Sequence, residues 1–113
     1  MWRALPFLLL LAACSKGPQA DLQYIGEARS LAAEWALINE QAQAGKLNAT
    51  YVDSMRQWIR QQLETDLGAL TQPDAPYAGE IRALSEVADD APPAQLRAHA
   101  ESLKQTEDSL ESA

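Results

Sequence analysis

The sequence predicts an all-α protein: a long αα-hairpin over residues 21–70 with two shorter helices packed on it. Apolar residues recur every three or four positions, which is the helical period, and no stretch alternates apolar and polar residues as a half-buried strand does. Turn-forming residues interrupt this period at residues 45–50, 71–76 and 89–93. The predicted helices therefore cover residues 21–44, 51–70, 75–88 and 92–108.

The N-terminal segment has the composition of an export signal. Arg3 supplies one positive charge, and residues 4–13 form an apolar block that ends in two alanines. A helix that spans a bilayer needs roughly 20 apolar residues, about twice the length of this block. We therefore expect a cleaved signal rather than a permanent transmembrane anchor. The alternative is an ordinary secreted protein in which the cysteine at position 14 is incidental.

The run Leu11-Ala12-Ala13-Cys14 resembles the lipobox of bacterial lipoproteins. The resemblance implies that residues 1–13 are a signal peptide, that cleavage falls between Ala13 and Cys14, and that the Cys14 thiol carries a diacylglyceride. In that family three acyl chains, palmitate among them, hold the processed protein on the membrane, and two already anchor stably. Ser15, the next residue, implies sorting to the outer membrane, on its periplasmic face.

Composition limits the kinds of partner that this chain can bind. Cys14 is the sole cysteine, so its acylation leaves no thiol for a disulfide or for a cysteine metal site. Without Arg3, 8 basic residues face 16 acidic residues, a net charge of −8 for residues 14–113. Such a surface repels nucleic acid and anionic lipid head groups and favours cationic partners, although the same charge also keeps a small domain soluble.

The first helix is expected to follow a tether. Residues 14–20 are predicted to be the lipidated cysteine with a flexible tether, and residues 21–113 one helical domain. Asp21 is the expected N-cap of the first helix, and Gly45 suits its C′ position. Asn39 lies inside the main apolar stripe, where it either fixes the packing register or, as we expect, bonds locally near the last turn. The stripe comprises Tyr24, Ala28, Leu31, Trp35, Ile38 and Ala42.

The first helix also has a second apolar face, nearly opposite its main stripe. It is formed by Gly26, Ala33, Leu37 and Ala44. A helix with two apolar faces is usually central, so we expect neighbours on both sides of it. The short connection over residues 45–50 has the length expected between antiparallel helices.

The second helix carries one residue that does not fit its apolar arc. Thr50 is its predicted N-cap, and Asp53 three residues later approximates a capping box. Asp66 falls near the middle of the arc, where an unpaired carboxylate is costly to bury. We therefore expect the helix to fray at Asp66 or an arginine to pair with it. The arc comprises Tyr51, Val52, Met55, Trp58, Ile59, Leu63, Leu67 and Leu70.

The third and fourth helices are the shorter ones in this prediction. Asp74 is the expected N-cap of the third helix, and Pro92 and Pro93 suit the first turn of the fourth. Glu107 interrupts the apolar stripe of the fourth helix, so we expect its last residues to fray. The two apolar sets are Tyr77, Ile81, Leu84 and Ala88, then Leu96, Ala100, Leu103 and Leu110.

No arrangement of catalytic residues is recognisable in the sequence. His99 is the single histidine, which excludes a two-histidine metal site, and its neighbours Glu101 and Ser102 do not form a nucleophile, base and orienting group in one cleft. There is no glycine-rich phosphate loop, and no two carboxylates stand out as an acid–base couple. We predict no catalytic residue, no metal ligand and no cofactor, and a protein that is not an enzyme.

The aromatic residues of the hairpin are the better indication of function, because tyrosine and tryptophan dominate both cores and binding hot spots. We expect them in the core. The alternative is a groove between the hairpin and the short helices that presents Trp35 or Trp58 to a protein partner.

The predicted function is a lipid-anchored, periplasm-facing binding module, an accessory or structural component of an envelope assembly. The alternative is a small acidic inhibitor or immunity-type lipoprotein that neutralises a cationic envelope-active protein. A homo-oligomer built on the seam from Tyr24 to Ala42 is a further open alternative.

Overall fold

The structure, a computed structural model, describes residues 17–113. A 3₁₀ turn, Pro18–Asp21, comes first, and no strand occurs among the described residues. None of the helices in this part of the chain is both long enough and apolar enough to cross a bilayer. The predicted all-α class with a long first helix is confirmed. The helices are α1 (Leu22–Gln43), α2 (Ala49–Ala69), α3 (Pro76–Ser85) and α4 (Pro93–Glu111).

The folded domain begins earlier than its predicted start. The expected signal peptide, its cleavage before Cys14 and the sorting residue Ser15 lie outside the described residues. The predicted flexible tether, however, overlaps the turn Pro18–Asp21, which packs against α1 and α4. The hydroxyl of Thr71 also donates to the carbonyl of Gly17 at 3.1 Å. The end of the predicted tether is therefore part of the fold.

Helix α1 contacts each of the other three helices, and it packs most extensively against α4. Helix α4 extends to Glu111, three residues beyond its predicted end. The reason is Glu107, whose carboxylate accepts a hydrogen bond from Nε of Arg29 at 2.7 Å. A Cβ at Gly26 would lie 2.7 Å from Oε2 of Glu107, so the missing side chain of Gly26 makes room for this contact. Glu107 thus continues the α1–α4 interface that it was predicted to interrupt.

The core lies between α1 and the other three helices. Each helix contributes large side chains that are fully buried, and burial of one such side chain contributes about 1.5–3 kcal/mol. The apolar spacing found in the sequence therefore does identify the faces that pack together. The largest of these side chains are Ile25, Trp35, Ile59, Leu63, Ile81, Leu84, Leu96 and Leu103.

The predicted end of α1 is confirmed. Gly45 has a φ of 73°, in the left-handed region that glycine adopts without strain. The N–H of Lys46 bonds to the carbonyl of Gln41 at 2.9 Å, and the N–H of Gly45 bonds to the carbonyl of Ala42 at 3.0 Å. These two bonds form the Schellman motif, which satisfies carbonyls that the helix end leaves unpaired.

The predicted N-caps of α2 and α3 are wrong. Asn48, not Thr50, caps α2, because its side-chain oxygen accepts a hydrogen bond from the N–H of Tyr51 at 2.8 Å. The N-cap position of α3 is Ala75, and Asp74 makes no cap bond. Here Pro76 supplies the first helical residue with its φ already fixed, so that a side-chain cap is not needed to start the helix.

Candidate functional site

Trp35 is a core residue. It has no exposed surface, and its indole Nε1 donates to the carbonyl of Asp89 at 2.9 Å. The guanidinium of Arg60 lies over the indole ring, 4.8 Å from its centroid, at a distance that suits a cation–π contact. Trp35 therefore lies in the core, as expected, and not in the alternative groove, because a partner cannot reach it in this structure.

The loop that follows α3 is held by Arg60 of α2. The guanidinium donates to the carbonyl of Ser85 at 2.6 Å, to the carbonyl of Val87 at 2.5 Å and to the carboxylate of Asp89 at 2.7 Å. Because these two carbonyls bond to a side chain, α3 ends at Ser85, three residues before its predicted end at Ala88. Arg60 therefore fixes the path of the chain between α3 and α4.

Asn39 belongs to the same network, and its predicted local bond is wrong. Its Nδ2 donates to the carbonyls of Asp89 at 3.1 Å and Ala91 at 2.8 Å, and its Oδ1 accepts from Nε of Arg56 at 3.0 Å. Asn39 is 1% exposed, so all of these bonds replace water. The residue joins α1 to α2 and to the loop before α4.

Asp21 organises the opposite end of the hairpin. It was predicted to cap α1, but its side chain makes no cap bond. Instead, its buried carboxylate accepts hydrogen bonds from the N–H of Thr71 at 2.8 Å, the hydroxyl of Thr71 at 2.9 Å, the N–H of Gln72 at 3.1 Å and the hydroxyl of Tyr77 at 2.5 Å. It thereby ties the start of α1 to the connection between α2 and α3.

The environment of Asp21 sets the ionisation of two groups. Burial acts to raise the pKa of Asp21, but the hydrogen bonds from Thr71, Tyr77 and Gln72 outweigh it and lower the pKa below its usual value. Burial, followed by the hydrogen bond to Asp21 and its charge, raises the pKa of Tyr77. The two pKa shifts therefore keep Asp21 as a carboxylate and Tyr77 as a neutral phenol.

Neither prediction for Asp66, a frayed helix or a pairing arginine, is correct. Helix α2 continues past it to Ala69, and no arginine pairs with it. Asp66 is 2% exposed, and no described donor reaches its Oδ2. Its charged neighbour is Glu27 of α1; burial, the charge of Glu27 and a hydrogen bond with it raise the pKa of Asp66 to about 7. Asp66 therefore keeps its proton up to about pH 7.

Glu80 of α3 connects to two polar residues of α4. His99 Nδ1 is hydrogen-bonded to Glu80 Oε2, and the hydroxyl of Ser102 donates to Glu80 Oε1 at 2.8 Å. In a catalytic triad the imidazole bonds directly to the nucleophile, whereas here the carboxylate stands between them. The arrangement joins two helices and does not activate Ser102. Among residues 17–113, no group of three or more metal-ligating side chains is placed to hold an ion.

The surface of residues 17–113 includes two open clefts. One has a volume of about 400 Å³, and its arginines are already bonded to Asn39 and to the loop before α4; it is lined by Asp53, Arg56, Gln57, Arg60 and Asp89. The other has a volume of about 520 Å³ and no charged side chain in its wall. It lies between the 3₁₀ turn, the start of α3 and the end of α4, and Pro18, Tyr77, Thr106 and Leu110 are among its lining residues.

The outer face of the hairpin carries the large apolar side chains that the fold leaves exposed. Leu37 is 50% exposed, Tyr51 46% and Trp58 44%. On α2, Tyr51, Met55 and Trp58 follow one another at intervals of four and three residues and so share one side of the helix. Arg56 and Arg60 lie on roughly the opposite side. Trp58 is thus exposed, but away from α3 and α4 rather than in the predicted groove.

The exposed side of α1 adjoins that of α2. The contact between Glu27 and Asp66 places the Glu27 side of α1 next to α2. Glu34 and Leu37 follow on the same side of α1, and both are exposed. We define the outer face as Glu27, Glu34, Leu37, Tyr51, Met55 and Trp58.

Most apolar members of the outer face were predicted to be buried. Tyr51 and Met55 were placed in a buried arc, although Tyr51 is exposed and Met55 is partly exposed. Leu37 was assigned to a face with a helical neighbour, yet of that face only Gly26 is covered, by Glu107. The available signal was the width of the apolar arc on α2, since a helix with neighbours on one side buries only part of so broad an arc.

The fold and this face define a small four-helix domain with an exposed aromatic surface. No protein family, no curated protein and no solved structure that was compared with this chain matches it.

Proposed function

We propose that this protein is a lipid-anchored, periplasm-facing binding module that holds a protein partner on its outer face, as an accessory or structural component of an envelope assembly. The observation that carries the proposal is the exposure of Leu37, Tyr51 and Trp58 on one face of the hairpin. Tryptophan and tyrosine are enriched among the residues that dominate binding energies. The proposal assigns no catalytic residue and no cofactor.

The dimensions of the chain suit such a role. The four steps from the proposed lipid site, Cys14, to Pro18 span at most about 14 Å, so the domain is held close to the outer membrane. Along α1, the rise of 1.5 Å per residue places Leu37 about 24 Å from Asp21. The aromatic residues therefore lie toward the far end of the hairpin, where a partner in the periplasm can reach them.

A second candidate is the acidic inhibitor of a cationic envelope protein. Four of the seven lysine and arginine side chains among residues 17–113 are paired with acids, in the pairs Arg29–Glu107, Arg60–Asp89, Arg97–Glu40 and Lys104–Asp108. The excess acidic residues are left to set the surface charge, which favours a cationic partner. Binding by an inhibitor that relies on charge falls steeply as the salt concentration rises, whereas binding by an assembly subunit that also uses aromatic contacts falls much less.

Photocrosslinking in cells tests the proposal. A photoreactive amino acid replaces Trp58 in one variant and the exposed α4 residue Gln95 in a matched control. We expect a discrete crosslinked protein at position 58 and none at position 95. Equal crosslinking at the two positions, or none at either, contradicts a binding role for the outer face.

Membrane fractionation tests the anchor separately. We expect the protein in the membrane fraction and the Cys14→Ser variant in the soluble periplasmic fraction, because the acyl chains are lost. A variant that stays in the membrane contradicts lipid anchoring at Cys14.

A further inference from the structure

We propose that the segment bound by the outer face is an amphipathic helix whose apolar stripe is flanked by lysine or arginine. This inference rests on the proposed function and specifies the chemistry of the partner. It joins two independent properties of the face, the helical spacing of its apolar side chains and the sign of its charges.

The apolar side chains are spaced for a helix. Tyr51, Met55 and Trp58 form a ridge that rises about 10 Å along α2. Leu37 of α1 lies on the other side of the hairpin seam and is equally exposed. Two parallel rows of side chains with a shallow seam between them fit an amphipathic helix, which inserts its own residues at intervals of three and four.

The charges on this face have one sign. Glu27 and Glu34 are exposed, and neither forms an ion pair among residues 17–113. No lysine or arginine occurs between Arg29 and Lys46, which lies exposed in the loop between α1 and α2. In α2, the basic residues are Arg56 and Arg60, which bond to Asn39 and to the loop before α4 on the other side of the helix. A cationic rim on the partner complements these acids.

The same charges disfavour two other occupants. A second copy of this chain, related by a twofold axis, brings the acidic row of one protomer to the acidic row of the other or to an uncharged ridge. An anionic bilayer surface is repelled by Glu27 and Glu34. A helix with a basic rim is the occupant that satisfies both the apolar ridge and the acids.

Peptide binding tests the inference. The protein is the whole chain from residue 14 onward with Cys14→Ser, which needs no detergent. The probe is a synthetic helical peptide of about 18 residues, five turns, with leucine on one face and lysine on the rest. A second peptide carries glutamate in place of lysine. The chain from residue 14 onward has two tryptophans, Trp35 and Trp58, and of these only Trp58 is exposed, so its emission reports on the outer face.

We expect the lysine peptide to shift the Trp58 emission to shorter wavelength and to protect it from acrylamide, and the glutamate peptide to do neither. Tyr51→Ala should weaken binding by about tenfold, as expected for a hot-spot side chain. The double variant Glu27→Gln, Glu34→Gln should also weaken it by about tenfold. The matched control, Glu101→Gln with Glu111→Gln, has the same net charge and should bind as the unmodified protein does.

Four outcomes overturn the inference: equal loss of binding in the two double variants, no binding of the lysine peptide, dimerisation of the protein that Trp58→Ala abolishes, and Trp58-dependent binding to vesicles that contain phosphatidylglycerol. Circular dichroism checks that each variant is folded. If the lysine peptide does not bind but position 58 crosslinks to a protein in cells, the inference of a basic helix is wrong and the proposed function stands. If the peptide does not bind and no crosslink forms, the inference and the proposed function are both wrong.

Discussion

Two buried aspartates lie at the seams of α1 with its neighbours, and they have opposite environments. Asp21 receives four hydrogen bonds, and its pKa is lowered. Asp66 faces the carboxyl group of Glu27, lacks a donor at Oδ2, and its pKa is raised to about 7. Both are almost completely buried. The difference shows that the donors around a buried carboxylate, and not burial alone, decide whether its charge stabilises the fold.

The two aspartates make stability depend on pH in opposite directions. The stabilising contribution of Asp21 is present above its unfolded pKa of about 4 and is lost as the pH falls through its lower folded pKa. Asp66 ionises in the unfolded chain from about pH 4 but in the folded protein only near pH 7. The folded state therefore loses stability as the pH rises from about 4 to 7, and the penalty is constant above that window.

Removal of the Asp21 carboxylate is expected to have the largest effect. Asp21→Ala leaves the buried Tyr77 hydroxyl and the N–H groups of Thr71 and Gln72 without their acceptor. We expect a loss of about 2–4 kcal/mol in the free energy of unfolding, a large part of the total of about 5–15 kcal/mol. Urea denaturation followed by circular dichroism measures it.

Asp74→Ala is the matched control for Asp21→Ala. Asp74 is exposed and makes no cap bond, so the change should lie within about 0.5 kcal/mol. If the two substitutions have similar effects, the hydrogen bonds to Asp21 do not stabilise the domain as described.

Asp66→Asn is expected to have the next largest effect, with the opposite sign. The variant should be more stable than the unmodified protein by about 1–3 kcal/mol at pH 8, because the buried charge is gone, and about equally stable at pH 4. The measurement is the urea midpoint at pH values from 4 to 8.

Glu27→Gln separates the effect of the neighbouring charge on the pKa of Asp66 from the effect of burial. It removes the neighbouring charge but leaves Asp66 buried, so the loss of stability between pH 4 and 7 should shrink without disappearing. An unfolding free energy of the unmodified protein that does not fall with pH in this range contradicts the raised pKa of Asp66.

Tyr77→Phe is expected to change stability less than Asp21→Ala or Asp66→Asn does. It removes one donor to Asp21 and keeps the buried ring, so we expect a loss of about 1–2 kcal/mol in the free energy of unfolding. The variant should also denature at a higher pH during acid titration than the unmodified protein, since a carboxylate with fewer donors has a higher pKa. An unchanged acid midpoint argues against a role for the phenol in holding the Asp21 charge.

Local signals in the sequence predicted much of the fold and little of the polar network. The stop at Gly45 was predicted because a left-handed residue after a helix depends on local backbone geometry alone. Asp21 was predicted as a cap, since the sequence does not reveal that Thr71 and Tyr77 lie beside it. Trp35 and Trp58 have similar positions in the apolar pattern, yet one is buried and the other exposed.

The sequence by itself determined the helical class, the long first helix, the breaks between helices and the apolar faces, because helical period and turn chemistry act over a few residues. Only the tertiary structure decided which aspartate is satisfied, where α3 ends and which aromatic residues form the outer face. Those outcomes depend on side chains that lie 17 to 56 residues apart in the chain, as in the Arg56–Asn39 and Tyr77–Asp21 hydrogen bonds. Such contacts arise from packing, which the local pattern does not encode.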